Sequence, residues 1–231
     1  MAGSLTRPGR GRLFPPASPR VSGSGPVSCA GSVPAAQADS TVPGAGPGWL
    51  EVAGGLLPAS RWRPGIRIAD LTWTAAPVIP ATAWGLGVVP GCPDPGLPLT
   101  GLDWRAAQAV AAALGGRLPT SAEWEWMAGG GRRRYPWGEE EPTPAHANLR
   151  GLGPGQVTPP GAFPAGATPD GLVDVAGNVW EWTSTTVPGG GAVIRGGSYN
   201  SLSLYATCCF TSEIPATTLS PGIGLRVVRP R

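Results

Sequence analysis

GLVDVAGNVWEWTSTTVPGGGAVIRGGSY, residues 171–199, is the stretch whose reading decides the fold. A polar turn, residues 174–178, runs into a strand-like segment in which Trp180 and Trp182 flank Glu181. A glycine-rich reversal follows, then AVIR, residues 192–195, a second strand ending on Gly196, Gly197 and Ser198. Glycines at a strand end permit torsions and close approach that a side chain forbids. Asp174 and Glu181 are hard oxygen donors, and the carbonyls of Gly177 and Val179 complete a calcium-like set. A hydrogen-bonded polar turn without metal is the other reading of the same residues. Arg195 reads as a buried arginine paired with a carboxylate rather than as a catalytic group.

Toward the N-terminus two helices are expected. Asp103 is a good N-cap, with Trp104, Ala107, Ala111 and Leu114 on one face and Gly115-Gly116 as the stop. Thr120 and Glu123 form a capping box for the second, which turns Trp124 and Met127 inward and ends at Gly129 to Gly131. WLEV, residues 49–52, reads as a short strand, and IRIADLTW, residues 66–73, as one half-buried alternating strand. Residues 77–98 are proline-rich loop with at most one short helical turn. YPWG, residues 135–138, is a rigid aromatic turn, and residues 139–170 are loop. The single histidine, His146, falls in that loop and reads as solvated.

Composition bounds the rest. The 231 residues suffice for one domain plus a tail, and 37 Gly with 29 Pro favour a loop-rich fold over long helices. Residues 1–47 carry almost no aromatics and too little apolar surface to offset ordering entropy, so a disordered tail is expected there and the folded domain over 48–231. All 17 basic residues are arginine, which fits a GC-rich, bacterial-like coding composition. Net charge is only +3, and Arg132, Arg133 and Arg134 are answered by Glu139, Glu140 and Glu141, so no nucleic-acid partner is expected. The four cysteines lack CxxC spacing, and nothing in them demands an oxidising compartment. There is no apolar run of about 18 residues and no secretory leader pattern. The expectation is a cytoplasmic chain with no membrane partner.

GGRLPTSAEWEWMAGG, YPWG, GLVDVAGNVWEW, VIRGGSY and GIGLRVV occur here in one order. That set resembles the formylglycine-generating enzyme (sulfatase-modifying factor) family over about residues 49–228. The resemblance implies an α+β fold, a compact, loop-rich C-type-lectin-like architecture with two helices and short antiparallel sheets. It also implies a structural calcium at Asp174, Gly177, Val179 and Glu181. A second family calcium site would use Asn148 and Leu149, but its later ligands fall in a shortened segment without aspartate, so it is not expected.

Copper-dependent members oxidise a substrate cysteine to formylglycine with two cysteines five residues apart, beginning three residues after the serine of RGGS. Those positions here are Ser201 and Ala206. Ser198 and Tyr205 match family active-site positions, as supporting groups only. Soft thiolates hold Cu(I), and a hydroxyl and a methyl group do not replace them, so copper is not expected. Adjacent Cys208 and Cys209 point to opposite faces of an extended chain and do not converge on one ion. Cys208 or Cys209 reads instead as a small buried hydrophobe. Related sulfoxide synthases hold iron through histidines of a separate helical domain, and one histidine does not supply that set.

The leading expectation is a non-catalytic or repurposed module that binds a protein or peptide through residues 199–221. Tyr199, Asn200, Ser201, Leu202, Tyr205 and Phe210 would carry the contact. One alternative is a protein-modifying oxidoreductase with an atypical site including Ser198 and Tyr205. Another is a retroelement-diversified variable protein, whose hypervariable segment occupies this same place before a GFRVV-like strand.

Overall fold

The computed structural model describes residues 48–61, 63–83 and 94–231. The expected tail over 1–47, together with Cys29, Cys92 and residues 84–93 of the proline-rich stretch, lies outside the described residues. Three small sheets frame the domain. Strands β1 (Trp49–Val52), β4 (Leu71–Thr74) and β9 (Val228–Pro230) form an antiparallel sheet with β4 in the middle. The first and last described strands therefore share one sheet. Strands β2 (Gly55–Leu57) and β3 (Ile66–Ile68) pair as a separate ribbon.

The expected single strand over 66–73 is thus two strands in two sheets. Asp70 interrupts it, because its carboxylate accepts the Gly54 N–H at 2.7 Å and ties the break to the β1–β2 turn. The third sheet has the order β7 (Ser212–Pro215), β6 (Gly191–Arg195), β5 (Trp180–Val187), β8 (Ile223–Gly224). Its β5–β8 pair is parallel, which departs from the all-antiparallel expectation. The direction follows from the path of the chain: β8 returns beside β5 only after the chain has passed through β6 and β7.

A short helix α1 (Pro80–Ala83) precedes the two expected ones. Helix α2 (Trp104–Ala113) starts where Asp103 accepts the Ala106 N–H at 2.8 Å, and it buries Ala107, Val110 and Ala111. Helix α3 (Ser121–Gly129) has the full capping box: Thr120 Oγ1 accepts from Glu123 N–H at 3.1 Å while Glu123 Oε2 accepts from Thr120 N–H at 2.7 Å. Gly130 ends it in the left-handed conformation that glycine tolerates. Trp182, Ile194, Leu225 and Val227 pack on α2; Trp73, Leu172 and Val228 pack with Trp124 and Met127 of α3.

Glu181 and Arg226 join these parts. Both are fully buried. Arg226 Nη2 and Nε donate to the Glu181 carboxylate at 3.0 to 3.3 Å, and Trp124 Nε1 donates to Glu181 Oε2 at 2.7 Å. The guanidinium also donates to Thr74 O at 2.8 Å and Val173 O at 2.7 Å. One charge pair therefore links β5, the end of β4, α3 and the loop before β5. Removing one partner of such a pair strands a buried charge at a cost of about 3–5 kcal/mol. Arg226→Met is expected to lose about that much in urea unfolding, and Glu181→Leu/Arg226→Met to recover part of it. A single variant as stable as the parent would contradict this role.

Candidate functional site

The signature turn is built from a polar lattice that local sequence patterns do not disclose. Asp174 and Asn178 both take positive φ, 52° and 58°. Such values are uncommon outside glycine, but aspartate and asparagine are the side-chain-bearing residues that reach them most readily. Asn178 Oδ1 accepts from Thr158 N–H at 3.0 Å and Asn148 Nδ2 at 3.2 Å, and its Nδ2 donates to Thr158 O at 3.0 Å. Its backbone N–H meets Asn148 O at 2.9 Å. Gly177 N–H donates to Gly196 O at 2.8 Å and Tyr199 N–H to Asn178 O at 3.0 Å, so the turn and the RGGS segment are bonded face to face. Gly196 has φ 95°, and a β-carbon there would lie 2.7 Å from Val175 O.

The four expected calcium donors separate into two groups. Asp174 is buried, and Gly161 N–H donates to its Oδ2 at 2.5 Å. Burial pushes its carboxyl above the usual range, opposed by the Gly161 N–H and by Arg226, while Glu181 adds to the rise. A buried carboxylate that forms no ion pair among the described residues is the kind of oxygen donor a hard cation takes. Glu181 does not fit. Its two oxygens are held by Arg226 and Trp124, and a guanidinium 3.0 Å away opposes a cation at that carboxylate. Among the described residues there is no cluster of three or more His, Cys, Asp or Glu side chains able to hold a metal. Asn148 lies deeper in the lattice: its Nδ2 donates to Gln156 O at 2.8 Å, and its Oδ1 is buried with no hydrogen-bond partner.

The positions of the family's copper cysteines lie inside the frame. Ser201 Oγ accepts from Ser198 N–H at 2.9 Å and sits 3.3 Å from Ser198 Oγ, and both residues are buried. Ala206 is fully buried with Tyr135, Leu149 and Ala176. A hydroxyl engaged in the turn and a packed methyl group do not make a Cu(I) site. Ser201 was expected on the contact surface; its hydrogen bonds to Ser198 place it underneath instead. Cys208 packs in the α3 core, and burial pushes its thiol up to about 12. Cys209 is exposed, with Sγ 3.9 Å from Thr207 Oγ1, so the two sulfurs occupy different environments.

Residues 199–221 carry exposed apolar side chains among polar ones such as Asn200, Thr211 and Glu213. Trp180, Tyr205 and Phe210 form one aromatic cluster with ring centroids 4.9 to 6.3 Å apart. Leu202, Leu204 and Leu219 are 50%, 61% and 69% exposed, large apolar side chains that contribute nothing to the core. Asn200 is exposed and accepts from Arg150 Nε at 3.1 Å; Tyr199 is half-buried. The segment is pinned from below by Arg195, which donates to Phe210 O at 2.9 Å and Cys208 O at 3.3 Å and pairs with Glu125 at 2.9 Å. Burial lowers the Arg195 pKa, and Glu125 counters that shift. His146 is not simply solvated: its ring stacks 4.8 Å from Trp137, which stacks 5.1 Å from Tyr135.

A buried Glu–Arg pair, a turn bonded to RGGS and a partly exposed outer segment belong to a formylglycine-generating-enzyme-type domain in a C-type-lectin-like fold. The chain belongs to the family of the sulfatase-modifying factor enzyme 1-like domain, whose model matches residues 91–231. Hercynine oxygenase of Mycobacterium tuberculosis is 50% identical over 95 residues, 38% of this chain and 22% of that protein. Formylglycine-generating enzyme of Thermomonospora curvata is 39% identical over 137 residues, 52% of this chain and 45% of that one. The inactive C-alpha-formylglycine-generating enzyme 2 of Mus musculus is 39% identical over 118 residues, 45% and 38% respectively. The chain thus spans less than half the length of each of these relatives. Among solved structures, CarF superimposes with a TM-score of 0.66 at 20% identity, over 80% of this chain and 98% of that one. Treponema denticola variable protein 1 does so with 0.64 at 16%, over 79% and 95%. At those identities the likeness is one of fold.

Proposed function

We propose that this domain is a binding module that keeps the family frame and has given up copper-dependent cysteine oxidation. The observation that carries the reading is Ser201 and Ala206 at the two thiolate positions, both buried and engaged in packing or hydrogen bonds. The outer face of 199–221 supports a binding role: Leu202, Leu204 and Leu219 stand exposed on the same segment that carries the Tyr205–Phe210 ring pair. Large exposed apolar side chains grouped on one segment suit a protein or peptide partner. That a mouse relative is named as inactive is consistent with loss of the reaction on a retained domain. The oxygenase name of the mycobacterial relative does not transfer, because the match spans 22% of that protein. Incubated with Cu(I), oxygen and a CxPxR peptide, the protein is expected to yield no formylglycine product. Multiple turnovers on that peptide would overturn the proposal and favour an oxidoreductase with an atypical site.

Calcium enters this reading as a structural ion on Asp174 and the carbonyls of Gly177 and Val179. It would neutralise a buried carboxylate and brace the turn against RGGS, leaving Glu181 with Arg226. Titration of calcium into chelator-treated protein is expected to give saturable heat that Asp174→Ala abolishes. Unchanged uptake in that variant would put the ion elsewhere, and no uptake by the parent would leave the turn to its hydrogen bonds.

A further inference from the structure

A cleft of about 300 Å³ lies at the C-terminal end of α3, apart from residues 199–221. Val52 and Trp126 wall it, the bare backbone at Gly130 opens onto it, and Arg132, Arg133 and Asp170 supply its charges. Its construction is specific in three ways. Trp126 is held in place, with Nε1 donating to Ala53 O at 2.9 Å and the far edge of its ring over Gly55. A β-carbon at Gly130 would meet nothing within 4 Å, so the floor is open there. Three helix carbonyls at this end are already taken: Gly130 N–H bonds to Trp126 O, Arg132 and Arg133 N–H bond to Gly129 O, and Arg133 Nη2 bonds to Ala128 O at 3.3 Å.

Among the described residues these charges form no ion pair. Neither Arg132 nor Asp170 is in an ion pair with another described residue, although both line the same cleft. Arg133 Nε is buried with no hydrogen-bond partner, a donor whose desolvation nothing offsets. Guanidiniums are suited to planar bidentate recognition of a carboxylate. A lone carboxylate beside them suits an ammonium group, and an indole wall with a valine suits an apolar side chain.

We propose that this cleft binds a small zwitterion, an α-amino acid with an apolar or aromatic side chain. Its carboxylate meets Arg132 and Arg133, its ammonium meets Asp170, and its side chain lies against Trp126 and Val52. The volume is at the lower limit of ordinary small-molecule sites, about 300 Å³, which matches a single amino acid better than a nucleotide-sized ligand. The proposal uses none of the residues assigned to the partner surface, so either can fail without the other.

Titration calorimetry of the full chain with L-phenylalanine, 3-phenylpropionate, phenethylamine and inorganic phosphate tests it. L-Phenylalanine is expected to bind most tightly. Arg132→Gln should weaken both L-phenylalanine and phenylpropionate by about tenfold, the loss of one charge-assisted contact. Asp170→Asn should weaken L-phenylalanine similarly and leave phenylpropionate no weaker. Both substituted side chains are exposed, and matching thermal melts confirm intact folding. Three outcomes would overturn the proposal: no saturable binding of L-phenylalanine up to about 10 mM, binding unaltered in both variants, or phosphate binding as tightly as the amino acid.

Discussion

The bond between Glu181 and Arg226 is the constraint on which the other contacts depend. Burying both ions is costly in isolation, and it is tolerated because the pair is surrounded by further donors and acceptors. Trp124 completes the carboxylate, while Thr74 and Val173 complete the guanidinium. These partners come from α3, β4 and the loop ahead of β5, so forming the pair fixes three separate parts of the chain relative to β5. With more of the described residues in loops than in helices and strands, such a polar centre does work that longer helices and wider sheets do elsewhere.

What stands on that frame is a segment held at its ends and free on its face. Arg195 bonds the carbonyls of Cys208 and Phe210 from beneath, and Ser198 and Ser201 close the turn at its start. The backbone of this segment is therefore specified by residues that lie beneath its outer face. Side chains pointing outward, such as Leu202, Leu204 and Leu219, are under no such demand. Function on a shared fold resides in the side chains of the site. Ser201 and Ala206 in place of the two family thiolates, on this frame, are a difference of this kind.

Local signals were legible in the sequence. Asp103 and the Thr120–Glu123 box begin helices where they should, since a cap is decided within four residues. The paired tryptophans and RGGS identified the fold because they occur in order with the other motifs. Long-range choices were not legible. Glu181 read as a metal ligand, and only the arrival of Arg226 from 45 positions away shows that it is an ion-pair partner. The alternation over residues 66–73 obeyed strand periodicity, yet Asp70 ties back to Gly54 and splits it. Ser201 looked like surface in a polar stretch, and its burial follows from a bond to Ser198 that no spacing rule specifies. The α3 cleft was invisible for a similar reason, since Val52, the stretch from Trp126 to Arg133, and Asp170 are far apart in sequence.

If the frame survives and only the thiolates have gone, restoring them should restore soft-metal binding. A β-carbon at Gly197 would lie 3.5 Å from both Ser201 Cβ and the Tyr205 carbonyl carbon, which brings position 201 close to the residue preceding 206. The direct measurement is anaerobic Cu(I) titration of the Ser201→Cys/Ala206→Cys variant against the parent and each single variant. A retained frame predicts one high-affinity equivalent in the double variant alone, with an ultraviolet thiolate-to-copper absorption. A folded double variant that binds Cu(I) no better than the parent would contradict it.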